Sequence, residues 1–133
     1  MKLHSTPTAG RNAFTGYGEG YVMVNGERYQ GSVLVQPEGP VRPWDVARPA
    51  DLDLGRMERL AALDVEVLLL GTGTRLEFPP PALLLPLARA RIGAEVMDTP
   101  AACRTYNILM GEGRRVAAAL ILGGPWLHPG RSG

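Results

Sequence analysis

Three short apolar runs constrain this fold more than any other feature: VEVLLLG (65–71), GAEVMD (93–98) and RVAAALIL (115–122). Each is long enough for a strand and too short for a buried helix of ordinary length. The continuous apolar run in VEVLLLG suits a strand covered on both faces. A segment of helical character precedes each of the three. From Asp53, which suits a helix cap, to about Leu63, residues Leu54, Met57, Leu60 and Ala61 form one apolar stripe. ALLLPLARARI (82–92) reads as a helix that Pro86 either kinks or forces to begin near Leu84, because an interior proline costs about 3 kcal/mol. The third helix is expected over 99–110.

Ahead of these units, YVMVNGERYQGSVLVQ (21–36) carries two β-prone runs around Asn25-Gly26, a pair suited to positive φ in a tight hairpin. Strands are expected at 20–24 and 28–36. From Pro37 to Pro49, five positions are Pro or Gly, which predicts a loop without regular structure, anchored by packing of Trp44. The element order ββ, αβ, αβ, αβ implies one α/β domain of three layers, built on a central mixed β-sheet and spanning residues 14–122. The hairpin is expected to make that sheet mixed. Residues 1–13 and 123–133 read as a flexible arm and tail, apart from Trp126.

Charge and cysteine usage exclude several functions. Lys and Arg number 14 against 13 Asp and Glu, and the arginines are scattered, so no basic face for nucleic acid is expected. The lone Cys103 excludes an internal disulfide and multi-cysteine zinc sites. No apolar run approaches the roughly 20 residues that a membrane-spanning helix needs. The N-terminus lacks the apolar centre of a secretory signal, so a cytoplasmic protein is expected, mitochondrial only if eukaryotic. Richness in Ala, Gly, Arg and Pro suggests a bacterial source.

The run DTPAACRTYN (98–107) raises the question of a site. At 100° per residue, Ala102, Cys103, Tyr106, Leu109 and Met110 share a stripe about 120° wide, as on a core-facing helix. Cys103 then reads as a core thiol. The histidines, His4 and His128, both fall in the expected arm and tail, which argues against Cys–His catalysis. Thr99 suits the cap position, with Pro100 in the first turn and Asp98 just upstream at the positive end of the dipole. Asn107 lies at the edge of the stripe; Arg104 points away and is either solvated or offered to a partner.

GTGTR (71–75) follows the first apolar run directly. If strands 65–70 and 94–97 are parallel neighbours, Gly71, Thr72, Gly73 and Thr74 share one rim with Asp98 and Thr99. Free backbone N–H groups there would suit an anion. The run is neither a dinucleotide fingerprint nor a Walker sequence, and no second catalytic group accompanies Asp98.

Together, GYGEGYVMVNGERYQGSVLV, the loop holding Trp44, LLLGTG and GAEVMDTPAACRTYNILMGEGRRVAAALI resemble a family of small α/β proteins over residues 14–122. That family includes the mitochondrial respiratory complex I assembly factor three, an adipogenesis-associated protein and many uncharacterised bacterial and archaeal members. The resemblance implies a three-layer fold with a central mixed sheet. For the mitochondrial members it implies assembly through protein partners, without known catalysis or cofactor. The expected function is therefore non-enzymatic protein binding, with no metal, cofactor or catalytic residue. Its expected surface is Gly71–Thr74, Asp98, Thr99, Arg104 and Asn107. The alternative is a binder of an anionic small molecule, or an enzyme, using the same rim. The sequence identifies neither the partner nor the oligomeric state.

Overall fold

A computed structural model describes residues 10–123 of the chain. Phe14–Gly18 (β1), Tyr21–Val24 (β2) and Glu27–Gln30 (β3) form a three-stranded antiparallel sheet in that order. Asn25 (φ 49°) and Gly26 (φ 82°) make the expected hairpin turn between β2 and β3, with Val24 paired to Glu27. The expected strand 28–36 is in fact two strands. At Gly31, φ is +87°, a conformation that favours glycine and turns the chain out of the first sheet. Val33–Val35 (β4) then enters a different sheet.

That second sheet has five strands, ordered β5-β4-β8-β6-β7, where β5 is Arg42–Pro43, β6 Val67–Gly71, β7 Gly93–Met97 and β8 Val116–Leu120. Strand β6 runs parallel to both β7 and β8, whereas β4 is antiparallel to β8 and to β5. The sheet is mixed because of β4, and the hairpin expected to mix it belongs to the smaller sheet. Helices α1 (Leu54–Ala61), α2 (Leu85–Arg89) and α3 (Thr99–Gly111) complete the α/β domain.

Strand alternation divides the core in two. Val67, Leu69, Val116, Ala118 and Leu120 face α3 and the three-stranded sheet, where they meet Phe14, Val22 and Tyr106. Leu68, Leu70, Ala117 and Ala119 face α1 and α2, meeting Met57, Leu60 and Leu87. Every residue of β6 and β8 is buried, which is why both read as unbroken apolar runs. Each buried Leu contributes roughly 1.5–3 kcal/mol by leaving water, so this central pair is the main source of cohesion.

Helix α1 begins at Asp53, whose side chain accepts the Arg56 N–H at 2.9 Å. Met57 and Leu60 face inward as expected, but Leu54 is 53% exposed and falls off the stripe. Asp53→Ala is expected to lower the urea unfolding midpoint through the lost cap. Helix α2 is a single short segment that begins at Leu85, with Pro86 in its first turn, where a proline costs little. The Pro-rich loop is less irregular than expected: it contains β5 and a 3-10 turn, Pro49–Asp51. Buried Ser32 fastens that loop, donating to the Val46 carbonyl and accepting the Leu122 N–H at 2.9 Å. Trp44 packs half-buried on the α1/α2 side, while Val46 is wholly buried.

Asn12 and Ala13 belong to the folded domain rather than to a loose arm. The Asn12 amide nitrogen donates to the Gln36 and Gly39 carbonyls at 2.8 Å, and Ala13 is 6% exposed. Positions 1–9 of the expected arm, and 124–133 of the expected tail with Trp126, lie outside the described residues.

Candidate functional site

The parallel pairing of β6 with β7 and β8 brings three chain segments to the same end of the sheet. Gly71 is level with Met97 on one side and Leu120 on the other. The turn after β6 and the start of α3 are then bonded directly. Thr72 N–H donates to Met97 O at 2.9 Å, Thr99 N–H to Gly73 O at 2.8 Å, and Gly73 N–H to Thr99 Oγ1 at 2.9 Å. The Thr99 hydroxyl in turn donates to Ile121 O at 3.3 Å, tying in the end of β8. Gly73 sits at φ +103°, which explains the second glycine. The first is explained by crowding: a Cβ on Gly71 would lie 2.7 Å from Leu120 Cδ2 and 3.0 Å from Thr99 Oγ1.

Asp98 is the cap of α3, accepting the Ala101 N–H at 2.8 Å, and Thr99 is the first helical residue. This corrects the sequence assignment of the cap to Thr99. The carboxylate satisfies helix donors more strongly than a hydroxyl, leaving the Thr99 side chain for the glycine turn. The correction bears on the expected anion site. Thr99 N–H is given to Gly73, Pro100 has no N–H, and the Ala101 and Ala102 N–H groups are both taken by Asp98. The donors at the helix start are consumed inside the protein, as are the Thr72 and Gly73 N–H groups of the turn.

Two of the sequence candidates stand apart from this rim. The Asn107 side chain accepts the Phe14 N–H at 2.9 Å and donates to the Phe14 carbonyl at 2.7 Å, so it fastens β1 to α3. Arg104 Nη1 donates to the Tyr17 hydroxyl at 2.8 Å, holding the far end of the same strand. Tyr106 completes the attachment: its hydroxyl donates to Asn12 O at 2.9 Å, and its ring meets Phe14 edge-on at 5.0 Å. The polar run on α3 mainly seats the three-stranded sheet.

Cys103 is wholly buried, and burial pushes its thiol from 9.0 up to about 12, against a small opposing pull from Arg104. Its folded-state pKa exceeds the unfolded value, so its contribution is complete below about pH 9 and is lost as pH rises towards 12. The unfolding free energy of the Cys103→Ala variant is expected to fall less steeply over that window, by up to roughly 1.4 kcal/mol per pH unit. Native protein at pH 8 is expected to resist iodoacetamide until it is unfolded, as mass spectrometry would record.

Beside the rim lies a cleft of about 290 Å³ with mostly apolar walls. Tyr17, Gly18, Glu19 and Gly20 form one wall, from the β1–β2 turn; Gly73, Thr74, Thr99 and Pro100 form the other. Ile121 and Leu122 complete the lining, and like Glu19 and Thr74 they also line an adjoining depression of about 360 Å³, which reaches Arg48, Arg75 and Glu77. The two join into one groove over the carboxyl end of the sheet. Sequence reasoning found Gly73, Thr74 and Thr99 here, and Thr72 in the adjoining depression. The β1–β2 turn carries no expected site residue because no strand is expected at 14–18, although GEG between FTGY and YVMV is a second turn signal like NG. Among the described residues no group of His, Cys, Asp or Glu has the arrangement of a metal site, and no helix is long and apolar enough to cross a membrane.

Residues 14–121 match the family described as protein of unknown function DUF498/DUF598, and the chain belongs to that family. An uncharacterised protein of Rhodobacter capsulatus is 36% identical over 113 residues, 85% of this chain and 86% of that one. The human NADH dehydrogenase [ubiquinone] 1 alpha subcomplex assembly factor 3 is 36% identical over 101 residues, 74% of this chain and 54% of the human protein. The chain thus spans about half the length of that assembly factor. Among solved structures, a Bordetella parapertussis protein superposes with a TM-score of 0.80 at 46% identity, covering 87% of this chain and 99% of that one.

Proposed function

We propose that this protein is a non-enzymatic assembly factor that binds a protein partner in the groove over the carboxyl end of the five-stranded sheet. The observation that carries this reading is the groove itself. Its more apolar half is lined by Tyr17, Pro100, Ile121 and Leu122, while the helix donors beside it are already bonded within the chain. Such a site suits an apolar side chain of a polypeptide better than an anion. Similarity to the mitochondrial assembly factor over 101 residues supports biogenesis of a membrane respiratory complex as the process served. In a bacterium the protein would act from the cytoplasm.

Glu19 and Thr74 are exposed lips on opposite walls, outside the core. The double variant Glu19→Arg/Thr74→Arg is expected to keep the wild-type thermal midpoint within about 2 °C, since exposed substitutions rarely change stability by more than 0.5 kcal/mol. It is also expected to lose the partners co-purified from cells and to lower membrane NADH dehydrogenase activity in a complemented deletion strain. Unchanged co-purification and activity would refute the groove as the binding surface. A thermal stabilisation by anionic metabolites, abolished in the same variant, would favour the small-ligand alternative instead.

A further inference from the structure

The edges of the two sheets are protected unequally. At β1, the Asn107 amide of α3 occupies the outward N–H and carbonyl of Phe14. Strand β3 is a four-residue strand carrying Glu27 and Arg28, and β5 is two residues long and ends in Pro43. Short length, proline and adjacent charges along the edge are usual means of blocking strand addition, and β7 carries one charge, Glu95, against the adjacent pair on β3. Strand β7 is different: five residues, GAEVM, at the end of the five-stranded order, regular in register from Gly93 to Met97.

Its outward groups can be identified. Gly93 N–H donates to Glu66 O and Met97 O accepts the Thr72 N–H, both at 2.9 Å. Residues 93, 95 and 97 therefore turn their backbone groups toward β6, and alternation turns those of Ala94 and Val96 to the open edge. Ala94 and Val96 pack their side chains on the α1/α2 side of the sheet. On the opposite face α3 covers β6 and β8, leaving Glu95 exposed. Among the described residues Glu95 takes part in no ion pair.

We propose that the β7 edge receives an extended segment of a partner protein, added antiparallel, with a Lys or Arg opposite Glu95 between two β-branched residues. Ala94 and Val96 would each exchange a pair of hydrogen bonds with the incoming strand. Glu95 then stands at a non-hydrogen-bonded position, where facing side chains approach most closely and an opposite charge is favoured. A second copy of this chain fits poorly. The register that uses both outward residues on each copy sets Glu95 against Glu95. Shifts by one pair bring up Ile92, whose N–H is given to Leu87 O, or Asp98, which caps α3. This surface is separate from the groove, so neither reading depends on the other.

The test uses the full chain with acetyl-Thr-Val-Lys-Val-Thr-amide and its Glu-centred counterpart, followed by amide NMR and hydrogen exchange. The Ala94 and Val96 amides are expected to exchange freely in the protein alone, and to shift and slow when the Lys peptide is added. The exposed substitution Glu95→Lys is expected to reverse the preference, each peptide changing in affinity by about fivefold. No response at residues 94 and 96 to either peptide would overturn the proposal. So would slow exchange of these amides without peptide, accompanied by a dimer in sedimentation.

Discussion

Gly71→Val is expected to lower the unfolding free energy by about 3 kcal/mol, the upper end of what overpacking a dry core costs. The new Cβ would lie 2.7 Å from Leu120 Cδ2, 3.0 Å from Thr99 Oγ1 and 3.2 Å from Thr99 Cα. Leu120 can shift its side chain, but Thr99 Cα is backbone at the start of α3, bonded on either side through Gly73 and Ile121. Relief therefore requires moving the helix away from the sheet and opening the groove wall. Gly71→Ala makes the same contacts with less bulk and should cost about half as much. Urea unfolding measures both, with an unchanged m-value indicating an effect on the native state. A neutral Gly71→Val would mean that β6 and α3 are not in this close contact.

Asn107→Leu is expected to cost roughly 2–4 kcal/mol, although the two side chains branch alike at Cγ. The lost amide serves both the N–H and the carbonyl of Phe14, and each half-buried backbone group left without a partner costs about 1–3 kcal/mol. Phe14 is wholly buried against Tyr106, so β1 cannot simply turn toward water. Asn107→Asp retains an acceptor for the N–H and loses the donor to the carbonyl, which places it between wild type and Leu. Native-state hydrogen exchange is the sharper readout. In Asn107→Leu, the amides of β1 and β2 should exchange faster by at least tenfold, the factor that corresponds to about 1.4 kcal/mol, while those of β6 change little. Uniform loss of protection would contradict the role of this side chain as a local fastener.

The contrast between these residues shows which parts of the molecule were readable in advance. Strands β6 and β8 were legible because burial on both faces removes every polar residue from them, a pattern few other structures produce. The start of α3 was nearly so; only the choice between Asp98 and Thr99 failed, because both side chains can cap and the decision rests on Gly73 and Ile121, distant in sequence. The division of 27–35 into two strands turns on Gly31 at φ +87°, which looks in sequence like an ordinary strand glycine. The groove was half legible. Its β6 and α3 wall follows from parallel neighbours, whereas the wall from Tyr17 to Gly20 arises because Asn107 and Arg104 carry β1 across the helix. In sequence those two side chains look like members of a site; in the structure they hold the strand that leads into one wall of the groove.

On the proposed reading, the lip at Thr74 faces a polypeptide in the living cell. A photocrosslinking amino acid placed at Thr74 reports on it directly, with Glu58 on the exposed side of α1 as the reference position. A discrete protein adduct from position 74 and none from position 58 is the expected result. Identical adduct patterns from the two positions, or no adduct at position 74, would contradict a partner seated in the groove.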